Sequence, residues 1–258
     1  MNLSLKGKRA IITAAGGGIG RKTMEAFTEA GAKVYFCDID EAGVAKANDE
    51  VAGGEGVVCD VRDTDALTAF MAAGVAHLGG LDILVNNAGV AGPTAPVEEI
   101  ALDDWRDCLE INLTSTFLCT QLAVPHLREA GGGSIVNLSS AAGKFGFAMR
   151  TPYSAAKWAI VGFTRSIALE LGADKIRCNC VQPGPVDGER ISRVVQAKAD
   201  ALGISANEMR MQMADITSLK QFVPPEHIAG MILYVCSDIG ASVTGQALSV
   251  DSGLEGLV

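Results

Sequence analysis

Short apolar runs alternate with longer amphipathic stretches along almost the whole chain, and this rhythm restricts the possible folds more than any other feature. Arg9–Thr13, Lys33–Asp38, Gly56–Cys59, Asp82–Asn86, Ser134–Leu138, Ile176–Val181 and Gln246–Val250 read as strands. Between them, residues 18–31, 41–51, 63–77, 103–130 and 152–172 carry helical patterning. A strand buried on both faces reads as an unbroken apolar run, and right-handed helical crossovers join successive parallel strands. The expectation is an α/β chain: a single doubly wound Rossmann-type domain over residues 1–258, with a seven-stranded parallel sheet and helices on both faces. Residues 184–224 break the rhythm as a long polar, Met-containing insertion, with weak helices at 190–202 and 206–213. An insertion of this size beside a sheet's carboxyl edge reads as a lid or substrate loop.

Charge and composition remove other classes. The 258 residues carry 21 Lys and Arg against 30 Asp and Glu, a formal net charge of −9, which disfavours a nucleic-acid backbone as partner. No span reaches the roughly 18 uninterrupted apolar residues of a membrane helix. The opening Met1–Lys8 lacks the apolar stretch of a secretory signal, so a cytoplasmic location is expected. The seven cysteines are scattered, and Cys178 and Cys180 suit one face of a strand better than a metal site; reduced, packed thiols are expected. The three histidines show no ligand spacing, and no metal is expected.

Thr13-Ala14-Ala15-Gly16-Gly17-Gly18-Ile19-Gly20 follows the first strand and opens the first helix. Glycines there let backbone amides approach a pyrophosphate, to which the helix N-terminus adds partial positive charge. Asp38 ends the second strand, 18 residues beyond Gly20, where an acid accepts hydrogen bonds from an adenosine ribose and repels a 2′-phosphate. Neither Gly17 nor Ile39 supplies a cation for that phosphate, so NAD is favoured over NADP.

Tyr153 and Lys157 lie four apart after Pro152, on one face of the helix that follows. A cation beside a tyrosine favours its phenolate, giving a phenol that exchanges a proton near neutral pH. Ser139-Ser140 follows the fifth strand and Asn86-Asn87-Ala88-Gly89 the fourth, both at the edge where open parallel sheets bind ligands.

From about Lys8 to Gly253 these residues, in this order and spacing, resemble the classical short-chain dehydrogenases/reductases. The resemblance implies that Gly16, Gly18, Ile19 and Gly20 bind the pyrophosphate, that Asp60 and Val61 hold the adenine, and that Asn87, Ala88 and Gly89 line the cofactor cleft. It selects Ser140, 13 residues before Tyr153, as the catalytic serine and Asn112 as the asparagine of a proton relay. It places Pro183, Gly184 and Val186 beside the nicotinamide. The implied activity is reversible hydride transfer between NAD and a secondary alcohol or ketone. Ser140 would bind the reacting oxygen, Tyr153 exchange its proton, Lys157 assist the phenol and hold the nicotinamide ribose, and Asn112 bind a relay water. The chain departs from the family pattern at Ala14, where a glycine is usual, at Gly188, where a threonine is frequent, and in Asp251-Ser252-Gly253, where D-G-G is frequent.

For the substrate, expected to be a small polar molecule, neutral or anionic, Arg150 and Arg190 are candidate clamps, since guanidinium pairs bidentately with carboxylates. The same residues also suit solvated or bridging roles. The resemblance further implies a homo-oligomer, commonly a tetramer, built through the helices at 103–130 and 152–172. Two other readings stand beside the dehydrogenase: an acyl-thioester ketoreductase, and a non-catalytic dinucleotide sensor or scaffold, which has no need of the four reacting groups.

Overall fold

A computed structural model describes residues 3–257, without the side chains of Arg190, Ala197, Lys198 and Ala201. The described residues form a seven-stranded sheet, parallel throughout, in the order β3-β2-β1-β4-β5-β6-β7. Its strands are β1 (Arg9–Thr13), β2 (Lys33–Asp38), β3 (Gly54–Val58), β4 (Ile83–Asn86), β5 (Gly133–Leu138), β6 (Ile176–Pro183) and β7 (Ala247–Val250). The helices are α1 (Gly18–Glu29), α2 (Glu41–Glu50), α3 (Thr64–Leu78), α4 (Leu102–Leu109), α5 (Ser115–Glu129), α6 (Thr151–Leu171), α7 (Glu189–Leu202), α8 (Ala206–Asp215) and α9 (Pro225–Cys236). The strand order reverses between β1 and β4, which opens a crevice at the carboxyl edge.

Alternate strand residues feed two separate cores. Ala10 and Ile12 of β1 meet Met24 and Phe27 of α1, Val44 and Ala47 of α2, and Ile228 and Ile232 of α9. Ile11 joins Leu67 and Phe70 of α3, Ala123 and Leu127 of α5, and Leu171 of α6 on the other face. Side-chain caps start α2 and α3: Asp40 accepts from the Ala42 amide, and Asp63 from those of Asp65 and Ala66. All seven cysteines are buried and unpaired. Burial pushes Cys119 and Cys236 up to about 12 and Cys180 to about 11, so these remain protonated thiols at neutral pH.

Two helical features differ from the sequence expectation. The helix expected over 103–130 is divided: a π-helical turn at Glu110–Thr114 separates α4 from α5. A further helix that the sequence expectation lacks, α9, follows Pro224 and buries Ile228, Ala229, Ile232 and Val235. In the 184–224 segment, α7 and α8 pack around a small core of Val195, Ala199, Met209, Met213 and Phe222, while Met211 is exposed. A bridge between Val186 and Val223 joins the two ends of this segment.

At the amino edge, the Arg9 guanidinium binds Asp82 through Nε at 2.7 Å and Nη2 at 3.2 Å, and the Arg9 amide adds a third bond at 2.9 Å. Burial by itself raises the Asp82 carboxyl, but these bonds from Arg9 outweigh it and hold the group below its ordinary value. A depressed carboxylate contributes stability above its unfolded pKa of about 3.9 and loses that contribution as pH falls through the lower folded value. Asp82→Asn should therefore cost about 1–3 kcal/mol at pH 7. In urea titrations from pH 7 to 3, the gap from wild type should narrow toward the acid end.

Candidate active site and cofactor cleft

The turn between β1 and α1 presents backbone amides. No side chain caps α1 and no acid stands in its first turn, so its leading N–H groups face outward undischarged. Gly17 and Gly18 have open space where a Cβ would stand, and a Cβ on Gly20 would collide with the Ala14 carbonyl and the Asn87 amide. Asp38 pins the turn: its Oδ2 accepts from the Gly16 amide at 2.9 Å and its Oδ1 from the Asp40 amide at 3.0 Å. Ile39 beside it is exposed. From β4, Asn87 Nδ2 donates to the carbonyls of Thr13 at 3.0 Å and Ala14 at 2.7 Å. Thr13 Oγ1 accepts from the amides of Asn87 and Ala88. Thr13 thus braces the turn, a role that its place at the end of an apolar run does not signal. These residues fit a dinucleotide: uncapped helix amides and a glycine cradle for a pyrophosphate, and a strand-end carboxylate for a ribose.

Asp60 lies two residues past the end of β3. Its carboxylate is held by Arg62 Nη2 at 2.6 Å, and that bond chiefly keeps it below the usual carboxylate range. Val61 packs at the margin of the core. At the other side of the crevice, the Gly184 amide donates to the Val250 carbonyl after Pro183, and Val186 sits in its bridge to Val223.

Tyr153 and Lys157 lie on the same side of α6, with Lys157 Nζ 5.6 Å from the Tyr153 ring centre. Lys157 is 3% exposed and donates to the Leu138 carbonyl at the end of β5 at 2.8 Å. Ser139 Oγ donates to the Lys157 carbonyl at 2.8 Å, Ser154 Oγ to Ala142 O at 3.0 Å, and Trp158 Nε1 to Phe145 O at 3.4 Å. This stitching distinguishes the two serines. Ser139 is buried and committed to α6, whereas half-buried Ser140 accepts from the Ala142 amide at 3.1 Å, which leaves its hydroxyl hydrogen to donate elsewhere. Gln182 Nε2 steadies the same turn through Gly143 O at 2.9 Å.

Asn112 sits in the π-helical turn, its Nδ2 bonded to Cys108 O at 2.8 Å and Val90 O at 3.0 Å. Its buried Oδ1 has no hydrogen-bond partner among the described residues. A Cβ on Gly89 would stand 2.7 Å from that oxygen and 3.2 Å from Lys157 Nζ, so glycine is what lets both groups close on this point.

Of the two arginines expected at the substrate, Arg150 donates from Nη1 to Ala91 O at 3.0 Å. The Arg190 side chain lies outside the described residues. Lys144, beside the Ser140 turn, turns to Asp251 at 3.2 Å. Two surface depressions, about 750 Å³ beside Leu3–Lys6 and about 360 Å³ between Asp187 and α8, are lined by none of Ser140, Tyr153 and Lys157. Chemistry and strand-edge position mark the site, not hollow volume. Among the described residues no group of three or more His, Cys, Asp or Glu side chains is arranged to hold a metal ion, and no helix is long and apolar enough to cross a membrane.

A family model described as enoyl-(acyl carrier protein) reductase matches residues 13–255. The cis-4-hydroxycyclohexanecarboxylate dehydrogenase of Sinomonas cyclohexanicum is 38% identical over 247 residues, 95% of each chain. The chain is a short-chain dehydrogenase/reductase. Among solved structures, this short-chain dehydrogenase/reductase is similar to a 7α-hydroxysteroid dehydrogenase complexed with NADH and 7-oxoglycochenodeoxycholic acid. That match has a TM-score of 0.91 at 33% identity and covers 100% of this chain and 98% of that one. It is also similar to an actinorhodin polyketide ketoreductase with NADPH, with a TM-score of 0.92 at 33% identity, covering 97% of this chain and 98% of that one. As a member of the family the protein is an oxidoreductase of alcohols and ketones that takes a nicotinamide dinucleotide.

Two departures from the family pattern carry backbone strain. Ala14 and Ser252, both at places where the family has glycine, adopt left-handed φ angles of +54° and +57°. An L side chain there costs roughly 1–2 kcal/mol, partly offset by the greater unfolded-state freedom of glycine. Ala14→Gly should stabilise the short-chain dehydrogenase/reductase by about 0.5–1 kcal/mol, raising the melting temperature by roughly 1–4 °C in calorimetry.

Proposed function

We propose that the protein transfers a hydride reversibly between NAD and a secondary alcohol or its ketone, with Tyr153 exchanging the hydroxyl proton. The observation that carries this reading is the Lys157 ammonium fixed beside the Tyr153 ring by the end of the strand that also presents Ser140. Bound in the cleft, the nicotinamide supplies the hydride acceptor or donor. Ser140 donates its hydroxyl hydrogen to the reacting oxygen, and Tyr153 takes the alcohol proton in oxidation or returns it in reduction. Lys157 stabilises negative charge arriving on the phenol oxygen and holds the nicotinamide ribose. Asn112 offers its buried Oδ1 to a relay water that passes the proton outward.

NAD is favoured over NADP by local charge. Asp38 and Asp40 both flank the glycine turn, with Asp40 Oδ2 and the Gly16 carbonyl meeting around Gly43. Ile39 puts no cation where a 2′-phosphate would lie. The same charges weigh against the acyl-thioester ketoreductase reading, since such enzymes usually prefer NADPH. The substrate we infer is small and polar, a hydroxyl on a compact skeleton such as the ring named for the cyclohexanecarboxylate relative. Residues 184–224 act as its lid. Phe117, Trp158 and Leu169 expose apolar surface on α5 and α6, which supports assembly into a homotetramer through those helices.

Mixing the protein with NAD and a panel of polyols, cyclohexanols and hydroxy acids, while following reduced-nicotinamide absorbance, should find turnover; silence across the panel would remove the reading. Tyr153→Phe should bind NAD as wild type does and lose about 10²–10⁴-fold in kcat. Replacing Asp38 by Ala together with Ile39 by Arg should shift the NADP-to-NAD efficiency ratio upward by on the order of 100-fold, the equivalent of one or two charge-assisted hydrogen bonds.

A further inference from the structure

We propose that Arg150 is a positioning residue for the proton relay: it fastens the entry of α6 to the loop after β4, and that loop holds Asn112 and Lys157 together. This deepens the functional reading above and rests on it. Arg150 is the residue before α6, one turn ahead of Tyr153. Its guanidinium donates to Ala91 O at 3.0 Å and leans over the Phe147 ring at 5.8 Å. Its neighbour Met149, held at a left-handed φ of +62°, accepts from the Ala95 amide at 3.0 Å. Residues 149–150 thus clasp residues 91–95 at two points.

The clasped loop reaches the relay directly. Val90, next to the Arg150 acceptor, gives its carbonyl to Asn112 Nδ2 at 3.0 Å. Gly92 lies so close to Cys108 that a Cβ would stand 2.8 Å from its sulfur, and that sulfur is 3.5 Å from Asn112 Nδ2. Gly89, at the start of the loop, is where Asn112 Oδ1 and Lys157 Nζ converge. Burial raises the Cys108 thiol, and the charges of both Lys157 and Arg150 pull against it, which places the two cations around the same buried spot. A guanidinium suits the clasp because its planar fork of five donors can bond a carbonyl and still serve other partners. Loosening the clasp frees the loop that sets the distance between Asn112 and Lys157, and misplacement of about 1 Å at a reacting group costs up to 100-fold in rate.

A substrate clamp at Arg150 makes a different prediction, so the full-length Arg150→Met and Arg150→Lys proteins decide between the two. With NAD, cyclohexanol and 4-hydroxycyclohexanecarboxylate serve as an uncharged and an anionic alcohol. Positioning predicts that Arg150→Met lowers kcat about ten-fold on both alcohols, with KM within about two-fold of wild type. It also moves the rising limb of the oxidation pH profile to higher pH. Amide exchange over residues 89–95 in the protein without cofactor should quicken about ten-fold, and Arg150→Lys should recover most of each effect. A KM rise confined to the carboxylated alcohol, or unchanged exchange over residues 89–95, overturns the proposal. Should the wild type oxidise neither alcohol nor any other in the panel, the functional reading fails, while the exchange measurement still judges whether Arg150 holds the loop.

Discussion

An ammonium taken out of water is tolerated only where oxygen atoms wait for its hydrogens. Lys157 meets that condition at the end of β5, where the Leu138 carbonyl accepts from it. The bond fixes more than a charge. It sets the height of α6 against the sheet, and the Ser139 hydroxyl on the Lys157 carbonyl locks the same register from the helix side. Because Ser140 is the next residue and Tyr153 is one turn earlier on α6, the register that satisfies the lysine also brings the serine and the phenol to one edge. A slip of one residue along β5 would send Ser140 to the opposite face of the strand and leave the ammonium without its carbonyl.

The glycine turn and the Tyr153–Lys157 side of the crevice are joined by four consecutive residues, 86–89, that begin with the last residue of β4. Asn86 donates to Asn137 of β5 and Thr120 of α5, closing the sheet interior. Asn87 braces the glycine turn through Thr13 and Ala14. Gly89 faces the opposite way, toward Asn112 and Lys157. This segment can serve both sides because β4 lies next to β1, at the point where the strand order reverses. The reversal opens the crevice, and the segment at its floor ties the glycine turn to Asn112 and Lys157.

How much of this is legible in the chain depends on whether a feature has a local cause. Strands buried on both faces announce themselves as apolar runs, and all seven lie within three residues of their expected ends, β3 and β6 shifting most. The division of α4 from α5 has no such mark: Glu110–Thr114 contains neither glycine nor proline, and the π-helical turn reflects how Asn112 is held by Val90 and Cys108. The helix α9 carried a readable signal, Pro224-Pro225 followed by Ile228, Ile232 and Val235 at helical spacing, obscured by the irregular segment before it. Arg150 illustrates the harder limit. Its chemistry suggests an anion, yet it also donates to the Ala91 carbonyl, in a loop nearly sixty residues away that no local pattern points to.

The three departures from the family pattern show why a substitution in a motif must be judged by its backbone. Ala14 and Ser252 keep the left-handed path expected where glycine is usual, so the turns persist and the chain carries the strain. Gly188 is the opposite case. Its φ of +145° and ψ of −177° lie in a region that is essentially closed to L side chains, and it forms the N-cap of α7. A threonine there could not follow this path, so the exchange does more than remove a hydroxyl: it redirects the chain between β6 and α7. The start of α7 is then set by a backbone path that glycine alone follows without strain.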